Sequence, residues 1–158
     1  MVSSIIRPVA LCVIRRDDNL LVFEGYDTAK NDHFYRPLGG TIEFGESSAE
    51  AAAREMAEEL NTEVTNVRWL GVVENIFTVH GQTGHEIVML YEADFADETL
   101  YERSQICAQE DDGSPFTAIW KSLDDFKAGR GRLVPDGLLA ILEGRSTEVS
   151  HVQADRRK

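Results

Sequence analysis

Three glutamates lie within five residues of one predicted helix, shortly after a glycine pair. Glu55, Glu58 and Glu59 follow Gly39 and Gly40 in the segment GGTIEFGESSAEAAAREMAEEL. On a helix, Glu58 lies about 60° to one side of Glu55 and Glu59 about 40° to the other, so the three carboxylates share one face. Like charges at this spacing cost only a few tenths of a kcal/mol per pair. A solvated acidic face and a cation site are therefore both open interpretations.

The residues upstream of the helix favour the cation site. Hard cations such as Mg²⁺ take oxygen ligands from carboxylates, carbonyls and water, and phosphates often complete the shell. The glycine pair allows the backbone to come close and to offer a carbonyl or amides. Glu43 and Glu46 extend the acidic character into the loop. This combination predicts a site for a divalent metal and a phosphate.

The helix that carries the glutamates has clear boundary signals. Ser47 followed by Glu50 three residues later predicts a capping box, and Asn61 suits the left-handed conformation that often ends a helix. Arg54 is expected to point off the acidic face, one turn after Glu50. Helical spacing predicts an apolar face that consists of Ala49, Ala52, Ala53, Met56 and Leu60.

The other elements predict an α/β (α+β) fold in one domain, residues 1–144, followed by a polar and flexible tail, residues 145–158. A strand–helix–hairpin–strand–helix order predicts an α/β/α sandwich with a mixed β-sheet between helices. Residues 25–33 are expected to form a loop, residues 81–84 a turn, and residues 97–112 an irregular segment with some helix. Strands are predicted at residues 5–14, 20–23, 41–44, 64–79, 85–95 and 115–123, and a closing helix at residues 135–142.

Composition narrows the classes of partner. The 158-residue chain has a formal net charge of −12, which disfavours a nucleic-acid polymer or an anionic membrane, since both need basic patches. A small polyanionic substrate would need a bridging cation. Cys12 and Cys107 lack metal-site spacing, and Arg7 and Pro8 interrupt the N-terminal apolar run. We therefore expect a cytoplasmic protein without a membrane span.

The spacing of the acidic segment resembles the Nudix box. Asn61 stands where that box usually has a glycine, Thr62 where it has an aliphatic residue, and Leu38 where many members have a proline. Six fixed positions, at about one in fifteen each, would match by chance on the order of once in ten million starting points. The strand and hairpin pattern on either side is similar too, so the resemblance covers most of the chain. The matching positions are Gly40, Glu46, Arg54, Glu55, Glu58 and Glu59.

The resemblance implies a metal-dependent hydrolase that cleaves a nucleoside diphosphate linked to another group, with Mg²⁺ or Mn²⁺ as cofactor. By position, Glu55 and Glu59 are the first candidate metal ligands and Glu58 the next, and Gly39 matches a residue whose carbonyl binds metal in some members. Members differ in the glutamate that takes the proton from water, and here Glu55 is favoured. Arg54 would orient a glutamate through charge-assisted hydrogen bonds. The resemblance thus implies Glu55, Arg54 and Glu58 as the catalytic residues.

The resemblance also suggests residues around the box. Glu110 is the candidate for a further metal ligand from a loop before a late strand, although an ordinary acidic loop is an alternative. Arg36 is expected to bind a substrate phosphate or to form a surface ion pair. Gly40 and Glu46 are expected beside the substrate, where Glu46 supports the site or binds a further ion. A homodimer is common in the family.

Substrate choice stays open at this point. A nucleoside triphosphate, oxidised or not, is the default expectation, and an ADP-ribose or sugar-nucleotide pyrophosphatase is an alternative. Members that act on ADP-ribose often carry a proline shortly after the box, whereas this chain has none between Pro37 and Pro115. A non-catalytic nucleotide-binding module and an isomerase on the same scaffold are the remaining alternatives.

Overall fold

The computed structural model describes residues 4–144 and 150–153 and shows a mixed α+β fold. The first half of the chain supplies β1 Arg7–Val13, β2 Arg15–Arg16, β3 Asn19–Asp27, β4 Asp32–Arg36, β5 Leu38–Thr41 and the helix α1 Ser48–Leu60. The second half supplies β6 Val64–Val79, β7 Gln82–Phe95, a 3₁₀ helix Glu98–Glu102, β8 Gln105–Gln109, β9 Pro115–Ser122, α2 Leu123–Lys127, α3 Leu138–Leu142 and β10 Ser150–Gln153.

The strands form two five-stranded sheets. The first has the order β10–β6–β7–β1–β5, and it is mixed because β1 runs parallel to β7 and β10 parallel to β6. The second has the order β2–β3–β9–β8, with β4 also paired to β3, and all its pairings are antiparallel. The predicted mixed sheet is therefore present, and a second sheet accompanies it.

Strand β1 lies at the centre of the packing because its two faces enter two different cores. Ala10 and Cys12 pack in the core that also holds Ala52 and Met56 of α1. Val9, Leu11 and Val13 pack in the other core, which contains residues of α2 and α3 such as Phe126 and Leu138. Alternating residues of a strand point to opposite faces, so helices cover both faces of the first sheet, as the sequence predicted.

The β6–β7 hairpin is longer than predicted. Its turn is His80 and Gly81, both with positive φ, and β7 already begins at Gln82. Two left-handed residues match the right-handed twist of the flanking strands, so the tight turn favours pairing up to its edge. The predictions of a turn at residues 81–84 and of a strand that starts at residue 85 were therefore wrong.

Two predictions near the glycine pair were also wrong. Residues 25–33 are mostly paired, because β3 and β4 form a hairpin across them. The strand expected at residues 41–44 lies earlier, at β5, where Gly39 pairs with Leu11 and Gly40 with Ala10. Glycines allow the backbone to approach closely, so the pair belongs to the sheet and not to a loop.

The C-terminal half contains elements that the sequence analysis missed. The segment 97–112 holds the 3₁₀ helix and β8, which buries Ile106 and Ala108 in alternation. The short helix α2 was not predicted, and α3 begins at Leu138, after a left-handed Gly137. Within the predicted flexible tail, β10 pairs with β6, and residues 145–149 and 154–158 lie outside the described residues. No helix among residues 4–144 is long and apolar enough to cross a membrane.

Candidate active site

The start and end of α1 follow the local sequence signals. The Ser47 hydroxyl accepts a hydrogen bond from the Glu50 backbone N–H at 3.1 Å, and the Glu50 carboxylate accepts one from the Ser47 N–H at 2.9 Å. Asn61 caps the other end in the left-handed conformation, with φ 53° and ψ 45°. The capping box and the Asn61 cap are thus confirmed. The cap holds Glu50, and among the described residues Arg54, one turn later, pairs with other glutamates.

The acidic residues of α1 differ sharply in burial. Glu55 is 3% exposed and Glu59 is 9% exposed, whereas the Glu58 side chain is 50% exposed. Ala49 and Ala53, which were predicted on the apolar face, are only half-buried. The face that packs in the core consists of Ala51, Ala52, Met56 and Leu60. Two carboxylates therefore lie at the edge of the hydrophobic core.

Arg54 connects these carboxylates to the loop before the helix. Its Nε and Nη2 donate to the two carboxylate oxygens of Glu46, at 2.6 and 3.0 Å. Its Nη1 donates to Glu55 Oε2 at 3.1 Å and to Glu58 Oε1 at 3.0 Å. Its Nη2 also donates to the Thr41 carbonyl at 3.0 Å. The expectation that Arg54 points off the acidic face was wrong for its guanidinium, because the long side chain bends back over the helix.

This network keeps the Glu46 carboxyl ionised. Hydrogen bonds from Arg54, and then one from the Glu43 backbone N–H, hold the pKa of the Glu46 carboxyl below its usual range. Both Glu46 oxygens accept from Arg54. Glu46 therefore supports the position of Arg54.

The glycine pair forms the floor beneath Glu55. A Cβ atom on Gly40 would lie 2.6 Å from Glu55 Oε2 and 2.7 Å from its carboxyl carbon. Gly39 has a φ of 150°, and a Cβ there would collide with the backbone carbonyl oxygen of Ala10. Only glycine at position 40 therefore leaves room for the Glu55 carboxylate at its present place.

A third segment, the turn between β8 and β9, brings further acid to the site. One carboxylate oxygen each of Glu55, Glu58 and Asp111 lie within 4.8 Å of one another. The turn is closed by a hydrogen bond from the Glu110 N–H to the Ser114 carbonyl at 2.8 Å. Glu110, the residue chosen from the sequence, is outside that group, but its charge still acts on Glu59. Asp111 directly follows Glu110 in the sequence, so the acidic run that suggested Glu110 as a metal ligand also contained Asp111.

The electrostatics of the buried carboxylates indicate a need for positive charge. Burial, followed by the charge of Glu55, raises the pKa of Glu59 to about 8, while Arg36 acts in the opposite direction. Burial and the charge of Asp111 raise the pKa of Glu55. Glu59 Oε1 is buried and has no hydrogen-bond partner among the described residues. A set of carboxylate oxygens with this shortage of positive charge fits a hard divalent cation.

Arg36 lies at the end of β4 and is half-buried. Its charge lowers the pKa of Glu59, so the guanidinium lies near the acidic group. Within the described part of the chain it forms no ion pair shorter than 4.0 Å, in contrast to the surface pair considered as an alternative. Arg36 is therefore a cation next to the carboxylates that is available to an anionic ligand.

Comparisons with known proteins agree with this geometry. The family model described as NUDIX domain matches residues 6–140. The NAD-capped RNA hydrolase NudC of Edwardsiella ictaluri is 34% identical over 91 residues, which cover 58% of this chain and 32% of that protein. The protein of the same name from Shigella flexneri is 37% identical over 65 residues, which cover 41% of this chain and 24% of that protein. The matched part thus spans about a third or less of the length of these curated relatives.

Solved structures share the fold at low sequence identity. A NUDIX hydrolase from Nitrosomonas europaea aligns with a TM-score of 0.59 at 17% identity, covering 88% of this chain and 87% of that one. A MutT protein from Bacillus halodurans aligns with a TM-score of 0.58 at 17% identity, covering 94% and 91%. At this identity the likeness concerns the fold alone. The α/β sandwich expected from the sequence is therefore confirmed.

Proposed function

The chain belongs to the NUDIX family, and from that premise we propose that it is a divalent-metal-dependent pyrophosphohydrolase that acts on a nucleoside diphosphate linked to another group. One observation carries the proposal. Carboxylates from α1 and from the β8–β9 turn converge beside a glycine pair, and Arg54 holds several of them together. The arrangement offers ligands for a cation and, in Glu55, a proton acceptor beside them, which supports hydrolysis over nucleotide binding alone.

The ligands proposed for Mg²⁺ or Mn²⁺ come from three segments. Glu55, Glu58 and Glu59 contribute from α1, and the buried, unpartnered oxygen of Glu59 supports its inclusion. Asp111 contributes from the β8–β9 turn, where its proximity to Glu55 and Glu58 supports it over Glu110. The Gly39 carbonyl stays a proposed ligand on the basis of its position in the motif.

The chain's own residues have separate roles in the proposed reaction. A divalent cation, when bound, neutralises the diphosphate and lowers the pKa of water. Glu55 is proposed to accept the proton of the attacking water, because Arg54 fixes one of its oxygens within the acidic group. Arg36 is proposed to bind a substrate phosphate. Arg54 and Glu46 position the carboxylates.

The cysteines argue against the isomerase alternative. Burial raises the pKa of the Cys12 thiol to about 12, so this residue stays protonated at neutral pH and is a poor acid–base catalyst. Cys107 is exposed on β8, and it has no partner in the acidic group described above. The complete set of box glutamates supports hydrolysis.

The proposed substrate is a small nucleotide in the cytoplasm, and a nucleoside triphosphate is the first candidate. A net charge of −12 supports a small ligand over an RNA chain. Two relatives are named NAD-capped RNA hydrolases, so NAD⁺ belongs in the test as well. Dimerisation is proposed from the family alone.

The test is a product assay over a panel of nucleoside triphosphates, sugar nucleotides, ADP-ribose and NAD⁺, with Mg²⁺, Mn²⁺ or EDTA. We expect metal-dependent release of a nucleoside monophosphate from at least one compound. Chromatography of the products identifies the bond that is cleaved. Tight nucleotide binding without any product would instead assign a binding module.

A further inference from the structure

A cleft of about 330 Å³ opens next to the acidic site. Arg36 lines this cleft and also acts on the pKa of Glu59. Arg7, which also lines the cleft, donates to the Thr41 hydroxyl at 2.7 Å, and the Thr41 carbonyl accepts from Arg54. Arg36, and Arg7 through Thr41, thus connect the cleft to the acidic site.

A polar row crosses three adjacent strands on the inner side of this cleft. Arg7 on β1 is the register partner of Glu86 on β7, and Glu86 is the partner of Asn75 on β6. Glu86 is 7% exposed and Asn75 is 6% exposed. Two residues further along the strands, the corresponding row consists of Val9, Val88 and Val73, all buried in the core. The same face of these three strands is therefore apolar in the core and polar where it lines the cleft.

The hydrogen bonding of this row is incomplete within the described residues. Arg7 Nη1 donates to Glu86 Oε2 at 3.3 Å. Asn75 Oδ1 is buried and has no hydrogen-bond partner. Arg132, which also lines the cleft, has a buried and unpartnered Nε, and its distance of 3.9 Å to Asp32 Oδ2 is too long for a hydrogen bond. Buried polar atoms without partners destabilise a fold, so their presence in a cleft points to a ligand that satisfies them.

Two aromatic rings form flat walls. The Phe34 ring lies over its register partner Gly25, where a Cβ would collide with the ring. The Phe77 ring lies in the same way over its own partner, Gly84. Both rings line the cleft, one from each sheet. Phenylalanine rings pack well on planar heteroaromatic groups.

We propose, on the basis of the function proposed above, that this cleft selects a guanine base, and that Asn75 and Glu86 determine this specificity. Two neighbouring acceptors, Asn75 Oδ1 and the Glu86 carboxylate, fit two neighbouring donor groups on the base. Guanine carries a ring N–H next to an exocyclic amino group, whereas in adenine, cytosine and uracil each donor group has ring nitrogens or carbonyl oxygens as neighbours. Arg132 Nε adds a donor for the guanine carbonyl.

The test measures the binding of nucleoside monophosphates to the full chain by calorimetry in EDTA, so it needs neither metal nor turnover. We expect GMP to bind about tenfold more tightly than IMP, which lacks the amino group, and more tightly than AMP, CMP and UMP. Asn75→Leu should reduce the preference for GMP over IMP to about one. Its unfolding temperature should be unchanged or higher, because the replaced oxygen has no partner in the described structure.

Gln105→Leu, an exposed polar position on β8, is the matched control and should keep the preference. If Asn75→Leu fails to fold, Glu86→Gln is the second variant. It replaces one carboxylate oxygen by an amide NH₂ group, and because the remaining oxygen can keep accepting from Arg7, the group left for the base is a donor and the same loss is expected. Equal binding of GMP and IMP to the wild type, no binding of GMP, or a preserved preference in both variants would overturn the proposal. A GMP preference without hydrolysis of any compound would contradict only the proposed function.

Discussion

Arg54 and Glu46 form a two-point ion pair, with 2.6 Å between Nε and Oε2 and 3.0 Å between Nη2 and Oε1. The remaining donor, Nη1, reaches Glu55 and Glu58. Glu46 thus fixes the plane of the guanidinium, and the guanidinium in turn fixes the two carboxylates. This arrangement makes the loop between β5 and α1 part of the site even though that loop supplies no proposed metal ligand.

The first prediction concerns Arg54→Lys. A lysine ammonium cannot form the planar fork that holds Glu46, Glu55 and the Thr41 carbonyl together. We expect turnover to fall by about 10- to 100-fold, which is typical for the loss of a group that orients metal ligands. Arg68→Lys is the matched control, since Arg68 also contacts two carboxylates, those of Glu92 and Asp94, on the β6–β7 hairpin. An equal loss in both variants would contradict a specific role for Arg54.

The second prediction concerns Glu59→Gln. Because the pKa of Glu59 is about 8, its carboxyl is mostly protonated at pH 7 without metal, and glutamine resembles that form. We expect the unfolding free energy of the metal-free protein to change by less than about 0.5 kcal/mol. Metal-dependent turnover should fall by at least about a hundredfold, because an amide is a poor ligand for Mg²⁺. Glu55→Gln should abolish turnover as well.

Glu102→Gln, an exposed position on the 3₁₀ helix, serves as the control for both glutamate variants. Steady-state assays and chemical denaturation of all three proteins give the comparison. Near-normal turnover in Glu59→Gln or in Glu55→Gln would remove that residue from the mechanism.

The third prediction is a pH dependence that originates in Glu59. The pKa of Glu59 is raised in the folded state. Between the ordinary glutamate pKa and about pH 8, the metal-free native state therefore holds a proton that the unfolded state has lost. This contribution to stability is present at low pH and is lost as the pH rises through about 8. Metal binding must displace the same proton, so apparent Mn²⁺ affinity should rise with pH up to about 8 and then level off.

The measurement is the release of protons on Mn²⁺ addition, obtained by calorimetry at pH 7 in two buffers of different ionisation enthalpy. Glu59→Gln should release fewer protons than the wild type, and the difference should vanish above pH 9. An identical proton release by both proteins at pH 7 would exclude Glu59 as the source.

Local signals explain how much of the site was predictable from the sequence. Ser47, Glu50 and Asn61 define α1 through contacts within a few residues, so its boundaries could be predicted. The spacing of Glu55 and Glu59 then fixed their common face. The reach of Arg54 back to Glu46 could not be predicted, because it depends on how the preceding loop folds over the helix.

Longer-range features were harder to predict for a physical reason. In the β8–β9 turn, backbone direction reverses within a few residues, so the sequence does not tell whether Glu110 or Asp111 faces α1. The short strand β8 owes its stability to pairing with β9 and not to a long apolar pattern. The cleft residues Asn75 and Glu86 lie in strands that the sequence predicted, but only the register reveals that they are neighbours.

The fourth prediction separates the two acids of that turn. Asp111→Asn should weaken Mn²⁺ binding by about tenfold or more, because one carboxylate oxygen of Asp111 lies within 4.8 Å of one oxygen each of Glu55 and Glu58. Glu110→Gln should have a smaller effect. The charge of Glu110 acts on Glu59, but Glu110 is not one of the three residues whose carboxylate oxygens lie together. Titration with Mn²⁺, followed by electron paramagnetic resonance, measures both affinities. The opposite order would restore Glu110 as the loop ligand.

The fifth prediction compares alanine at the two adjacent glycines. In Gly40→Ala the new Cβ would lie 2.6 Å from Glu55 Oε2, the end of a flexible side chain, which can move away. The fold should survive, while turnover falls by about a hundredfold because Glu55 leaves its place. In Gly39→Ala the Cβ would meet the rigid backbone of Ala10 at a φ of 150°, so we expect a loss of about 3 kcal/mol in stability. Denaturation and turnover measured on both variants test this, and a stable, active Gly40→Ala would show that Glu55 works from another position.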